Sequence, residues 1–121
     1  MLALALGLTL FSCQEGSDAG DLLGQWRQSG SDTKYVAFSG SVACFRCIGH
    51  GVVYGNFQHV GDSLFIQCHS ISDDVKENDR QMIEQEDGFN PYTDIRVKIE
   101  AVDSDHLALS KNGTVWKFSK Y

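Results

Sequence analysis

The stretch DIRVKIEAVD, residues 94–103, decides the fold. Ile95, Val97, Ile99 and Ala101 alternate with Asp94, Arg96, Lys98 and Glu100. Successive side chains of a strand point to opposite faces, so this period of two predicts a half-buried strand with one wet face. Downstream, Asp103-Ser104-Asp105 turns the chain and Leu107 and Leu109 mark the next strand. Asn112-Gly113 is then a hairpin signal before a closing strand from Thr114 to Tyr121.

Upstream the same rhythm holds. Strands are expected at Leu22–Gln28, Tyr35–Phe38, Val42 to about Ile48, Val52–Val60 and Ser63–His69, separated by glycine- and serine-rich turns. Gly61-Asp62 is a two-residue hairpin, which sets Val60 opposite Ser63, Phe57 opposite Ile66 and Gly55 opposite Cys68. Taking Gly49-His50-Gly51 as the preceding loop sets Cys47 opposite Val53 and Phe45 opposite Gly55, and puts Phe45, Cys47, Val53, Phe57, Leu64, Ile66 and Cys68 on one core face, with His59 at its rim. With Ser39-Gly40-Ser41 as the three-residue turn before it, the same register places Val36, Phe38, Val42 and Cys44 on the outer face. Only Ser70–Asn90 breaks the period; Ser72 is placed to cap a short helix carrying Val75, Met82 and Ile83.

Eight short antiparallel strands in meander order form a sandwich or a barrel. Closure removes the exposed edges, and the order favours the barrel. The expected fold is all-β: a single eight-stranded antiparallel meander barrel with one helix or ordered loop between the fifth and sixth strands. Such a barrel is just wide enough to be filled by side chains or to hold one small ligand.

The chain has 16 acidic against 10 basic residues, which argues against nucleic acid as a partner. The acids cluster in Asp73–Asp87, expected to be a solvated excursion. Met1–Phe11, MLALALGLTLF, is apolar but too short to cross a bilayer, which takes about 20 residues. It fits the apolar core of a secretory signal, although no Lys or Arg precedes it; an N-terminal strand or buried helix is the alternative. Leu10-Phe11-Ser12-Cys13 resembles a bacterial lipobox, which implies that Cys13 is lipidated. The expected division is residues 1–12 as signal peptide, 13–21 as an acidic tether and 22–121 as the barrel. The implied location is the cell envelope, anchored by lipid to the outer membrane on its periplasmic or surface face.

VACFRCIGHG, residues 42–51, looks like a metal or redox motif. Strand geometry separates its cysteines onto opposite faces, and no helix follows to lower a thiol pKa. Three readings of Cys44, Cys47 and Cys68 stay open: buried free thiols, one disulfide most naturally between Cys47 and Cys68, or a metal or redox role. No cofactor is implied. Gly49–Gly55 is not a dinucleotide fingerprint, and no Gly-x-Ser-x-Gly places a nucleophile, so a non-enzyme is expected.

Gly24-Gln25-Trp26 on the first strand resembles the Gly-x-Trp signature of lipocalins. Residues 95–121 are similar to the closing strands of small lipocalin-like lipoproteins of gut anaerobes. Where lipocalins stack an arginine on the signature tryptophan, the last strand here offers Lys117 and Lys120. The resemblance implies a binding or scaffold module with a cup for a small apolar or amphipathic ligand. Its candidate lining is Trp26, Phe45, Phe57, Leu64, Ile66, Val97 and Trp116. The alternative is a protein-interaction or inhibitor module working through outer loops and the 73–87 segment, its partner unspecified.

Overall fold

A computed structural model describes residues 20–121. Eight strands, β1 (Gly24–Gln28), β2 (Lys34–Ser39), β3 (Val42–Cys47), β4 (Gly51–Val60), β5 (Ser63–His69), β6 (Ile95–Val102), β7 (His106–Lys111) and β8 (Thr114–Lys120), run in order around a closed antiparallel barrel. Trp26 lies opposite Lys120, so β1 and β8 pair and no sheet edge is left open. The expected signal peptide, Cys13 and most of the tether lie outside the described residues.

The β4–β5 hairpin has the expected register, with Phe57 opposite Ile66 and Gly55 opposite Cys68. Two other registers differ. The turn between β2 and β3 is Gly40-Ser41, not three residues, so Val36 faces Phe45 and Phe38 faces Ala43. Val36 and Phe38 therefore point inward and are buried, not outward as expected. Between β3 and β4, Phe45 faces Val53 and Cys47 faces Gly51. That is a slip of two residues from the expected pairing, which moves the partners but keeps every side chain on its face. In β6, Ile95, Val97 and Ile99 are buried, whereas a register shift between Ile99 and Ala101 turns Ala101 outward and Val102 toward the core.

The two ends are closed differently. At the end where β1 begins, a 3₁₀ turn, Gly20–Leu22, buries Leu22, whose carbonyl accepts the Trp26 indole N–H at 2.9 Å. Lys120 Nζ lies 4.3 Å from the Trp26 ring centroid and covers that face of the indole. At the other end the β5–β6 connection folds over the mouth. It comprises a 3₁₀ turn (Asp73–Val75), helix α1 (Lys76–Gln81) and a π turn (Met82–Glu86), leading into the loop 87–94. Ser72 makes no side-chain cap bond. The segment is not the solvated excursion expected from its charge: Met82, Ile83, Phe89 and Tyr92 are buried in the barrel core. Of its acids Asp87 is buried; the others are exposed or half-buried, and Arg80 bridges Glu77 and Glu84.

Candidate functional site

The candidate lining residues do not share one cavity. Trp26 plugs one end; Phe57, Leu64, Ile66 and Val97 fill the body, Phe57 pairing with Ile66 and Leu64 with Val97. Trp26 and Leu64 are fully buried and Phe57 and Ile66 are 1% exposed, so no water-sized void opens beside them. These five are core, and the cup expected to contain them is filled. Phe45 and Trp116 differ: both sit under the cap, and the Phe89 ring lies between them. Phe89 stacks on Trp116 at 4.5 Å between centroids and 28° between planes, and tilts against Phe45 at 5.7 Å.

Rim side chains tie the cap down. Trp116 Nε1 donates to the carbonyl of Asp87 at 2.9 Å, Lys111 Nζ to that of Asn90 at 2.7 Å, and Lys34 Nζ to that of Glu86. Within the cap, the Glu84 carboxylate accepts the Tyr92 N–H at 3.0 Å, and the Tyr92 carbonyl accepts the Cys68 N–H at 2.9 Å. Asp87 is 6% exposed, and its Oδ1 has no hydrogen-bond partner among the described residues. Burial pushes its carboxyl up to about 7; Lys34 opposes this and Glu86 adds to it. A void of about 10 Å³ remains between Asp87, Lys34, Gln28, Phe89 and Phe118.

Cys44, Cys47 and Cys68 are free thiols. The disulfide between Cys47 and Cys68 is not formed, for a geometric reason. Cys47 lies opposite Gly51 and Cys68 opposite Gly55, so they are offset by four residues of β4, about 13 Å along the strand, and a disulfide needs Cα atoms within about 7 Å. Cys44 faces outward opposite Tyr54 and is half-buried. Burial raises all three thiols, Cys68 to about 12, which suits apolar packing rather than nucleophilic work. Among the described residues no three His, Cys, Asp or Glu side chains gather as metal ligands.

A larger recess of about 370 Å³ lies outside the barrel, between α1 and the outer face of β4 and β5. Val52, Tyr54, Ile71 and Val75 supply its apolar surface, and His50, His69 and Asp79 its polar one. Ser70 donates to Asp79 at 2.6 Å and holds that wall to the end of β5.

Sequence reasoning missed Lys34, Lys111, Asp87 and Phe89. Phe89 is the one that left a trace: a single aromatic in an acidic stretch, two residues before the only proline.

Two crystal structures share the fold. A lipocalin-like protein from Bacteroides uniformis superposes with a TM-score of 0.67 at 21% identity, over 84% of this chain and 100% of that one. An uncharacterized protein from Bacteroides eggerthii gives 0.63 at 18%, over 82% and 98%. No curated protein matches the sequence. The lipocalin-like domain family matches residues 8–121, which takes in every strand of the barrel, its Gly-x-Trp strand and its cap, and the chain belongs to that family.

Proposed function

We propose that the protein is a lipid-anchored, non-enzymatic binding module of the bacterial cell envelope that takes a small apolar or amphipathic ligand at the capped mouth of its barrel. Lipocalin-like barrels are typically binding proteins, and the body of this one is packed, so the mouth is where a ligand would enter. The observation that carries the reading is the aromatic slot of Phe45 and Trp116, filled by a loop side chain and not by the barrel wall. The apolar leader and Cys13 support the anchor.

The ligand half is tested by native mass spectrometry of protein extracted from its own cells, with Trp116 emission followed during titration with apolar acids, alcohols and amines. Bound mass or a shift in emission is expected. Protein that carries nothing and does not respond would end the reading. The anchor half is tested by Cys13→Ser, expected to abolish fatty-acid labelling and release the protein from membranes.

The outer recess favours a second reading. Tyr54 is 50% exposed and Ile71 89%, beside the acidic helix, as suits a contact for another protein. Reversing Asp79, Asp74 and Glu77 to lysine while partner capture persists would remove it.

A further inference from the structure

Three hydrogen-bond donors on the rim converge on one short piece of the cap. Lys34 opens β2, Trp116 lies on β8 and Lys111 ends β7; they hold the backbone carbonyls of Glu86, Asp87 and Asn90. Strands β7, β8, β1 and β2 are consecutive around the barrel, so these donors share one arc of the rim. Between the held carbonyls the Phe89 ring enters the slot of Phe45 and Trp116.

A carbonyl oxygen is a modest partner for an ammonium group. Its bond to a carbonyl is assisted by one charge only, whereas a carboxylate adds the attraction of opposite charges to the hydrogen bond. Two lysines and an indole N–H around an aromatic slot are better complemented by a flat ring bearing an anionic group than by a strip of backbone.

The strip also fits imperfectly. The buried Asp87 carboxyl leaves Oδ1 without a partner among the described residues, beside a void of about 10 Å³. Gly88 has φ +88°, and a Cβ there would stand 3.3 Å from Trp116 Nε1, so closure depends on a glycine. An unpaired buried carboxyl weakens the closed state, which is what a displaceable occupant needs.

We propose that residues 86–90 occupy the protein's own ligand site as an internal surrogate, and that the ligand which displaces them is a small aromatic carboxylate: its ring takes the place of Phe89 and its oxygens take Lys34, Lys111 and the Trp116 indole. The inference rests on the reading of the mouth as the ligand site and adds the ligand's class. It favours an acid over an amine because the acidic groups beside the slot, Asp87 and Glu86, belong to the cap and leave with it, whereas both lysines belong to the barrel.

The test uses 3-phenylpropionate as probe, with 3-phenylpropanamide and phenethylamine as its uncharged and cationic congeners. Each is titrated into ¹⁵N-labelled protein while the Trp116 indole signal is followed. Removing an internal competitor raises apparent affinity by the factor by which the open fraction of sites increases. Phe89→Ala is therefore expected to bind the acid roughly tenfold or more tighter than the native chain. Adding Lys34→Gln should forfeit about tenfold, the charge-assisted bond being lost. Gly88→Ala keeps the slot intact and pushes the loop off Trp116, so it should tighten binding in the same sense and stands in if Phe89→Ala folds poorly. If the amide or the amine binds as tightly as the acid while the indole signal moves, the ligand class is wrong and the mouth remains a binding site. If none of the probes moves the Trp116 signal in any variant, the surrogate is refuted. A ligand-free native mass spectrum alongside that result would remove the binding reading as well.

Discussion

Single residues show how much rests on contacts that no local pattern displays. Gly24 has φ +119°, and a Cβ there would lie 2.8 Å from Lys120 Nζ. That ammonium crosses the strand to reach the Trp26 ring and donates to the Leu23 carbonyl at 2.7 Å. The glycine of Gly-x-Trp is thus the clearance for the cation that covers the tryptophan. The motif was legible in the sequence, and so were Lys117 and Lys120 of the last strand; which of the two reaches the tryptophan was not. Asp87 is the residue with the plainest consequence for pH. Its carboxyl is raised from 3.8 to about 7 in the folded state, so the proton is bound more tightly folded than unfolded. Its stabilising contribution is fully present below about pH 3.8 and is lost progressively as pH rises toward 7. That difference in proton affinity corresponds to roughly 4 kcal/mol at most. Asp87→Asn should remove that slope. Urea unfolding of both proteins at pH 4 and pH 8 is expected to show the variant gaining on the native chain by 2 to about 4 kcal/mol at the higher pH. A difference that does not change between the two pH values would mean that Asp87 is not buried in the folded protein.

At the scale of elements, strands and turns were legible because alternation and turn chemistry are local. The β4–β5 hairpin followed from Gly61-Asp62 alone. The β2–β3 register did not, because Ser39-Gly40-Ser41 fits a two- or a three-residue loop equally well and only the shorter one turns Val36 and Phe38 inward. The cap was misread for a different reason. Its charge pattern is that of a solvated segment, and its inward face, Met82, Ile83 and Phe89, is created by folding over a mouth that is distant in sequence. Its attachment also differs from that of a strand. Barrel strands are bonded to neighbours on both sides, whereas among the described residues the cap is held by lysine and tryptophan side chains, the Ser70–Asp79 bond and one backbone bond from Cys68 to Tyr92. Elements with few such ties open below the free energy of global unfolding. The amides of Asp87 and Phe89, bonded to Met82 and Ile83, should exchange with lower protection and weaker denaturant dependence than that of Phe57, which is bonded to Ser41. If native-state hydrogen exchange puts all three on one isotherm, cap and barrel are a single cooperative unit and the mouth does not open by itself.

For the whole molecule the question is whether the barrel is a container or a scaffold. Eight strands leave an interior that side chains can just fill. Here they fill it: Phe57 meets Phe38 edge to face at 5.1 Å between centroids and lies opposite Ile66, and all three are no more than 1% exposed. Strand count and meander order were visible in the sequence, but filled and hollow barrels share the same alternation, and only the fit of one side chain against the next separates them. Truncation reads that fit. In a filled body, Phe57→Ala loses the transfer energy of the ring and leaves a cavity, at a cost of about 3–5 kcal/mol. In a hollow carrier the ring would already border solvent or ligand, and the loss would be closer to 1 kcal/mol, with ligand affinity falling alongside. The expected result is a large drop in urea-unfolding free energy with no change in the response of Trp116 to ligand at the mouth. The opposite pair, little loss of stability and a weakened ligand, would move the binding site from the rim into the body of the barrel.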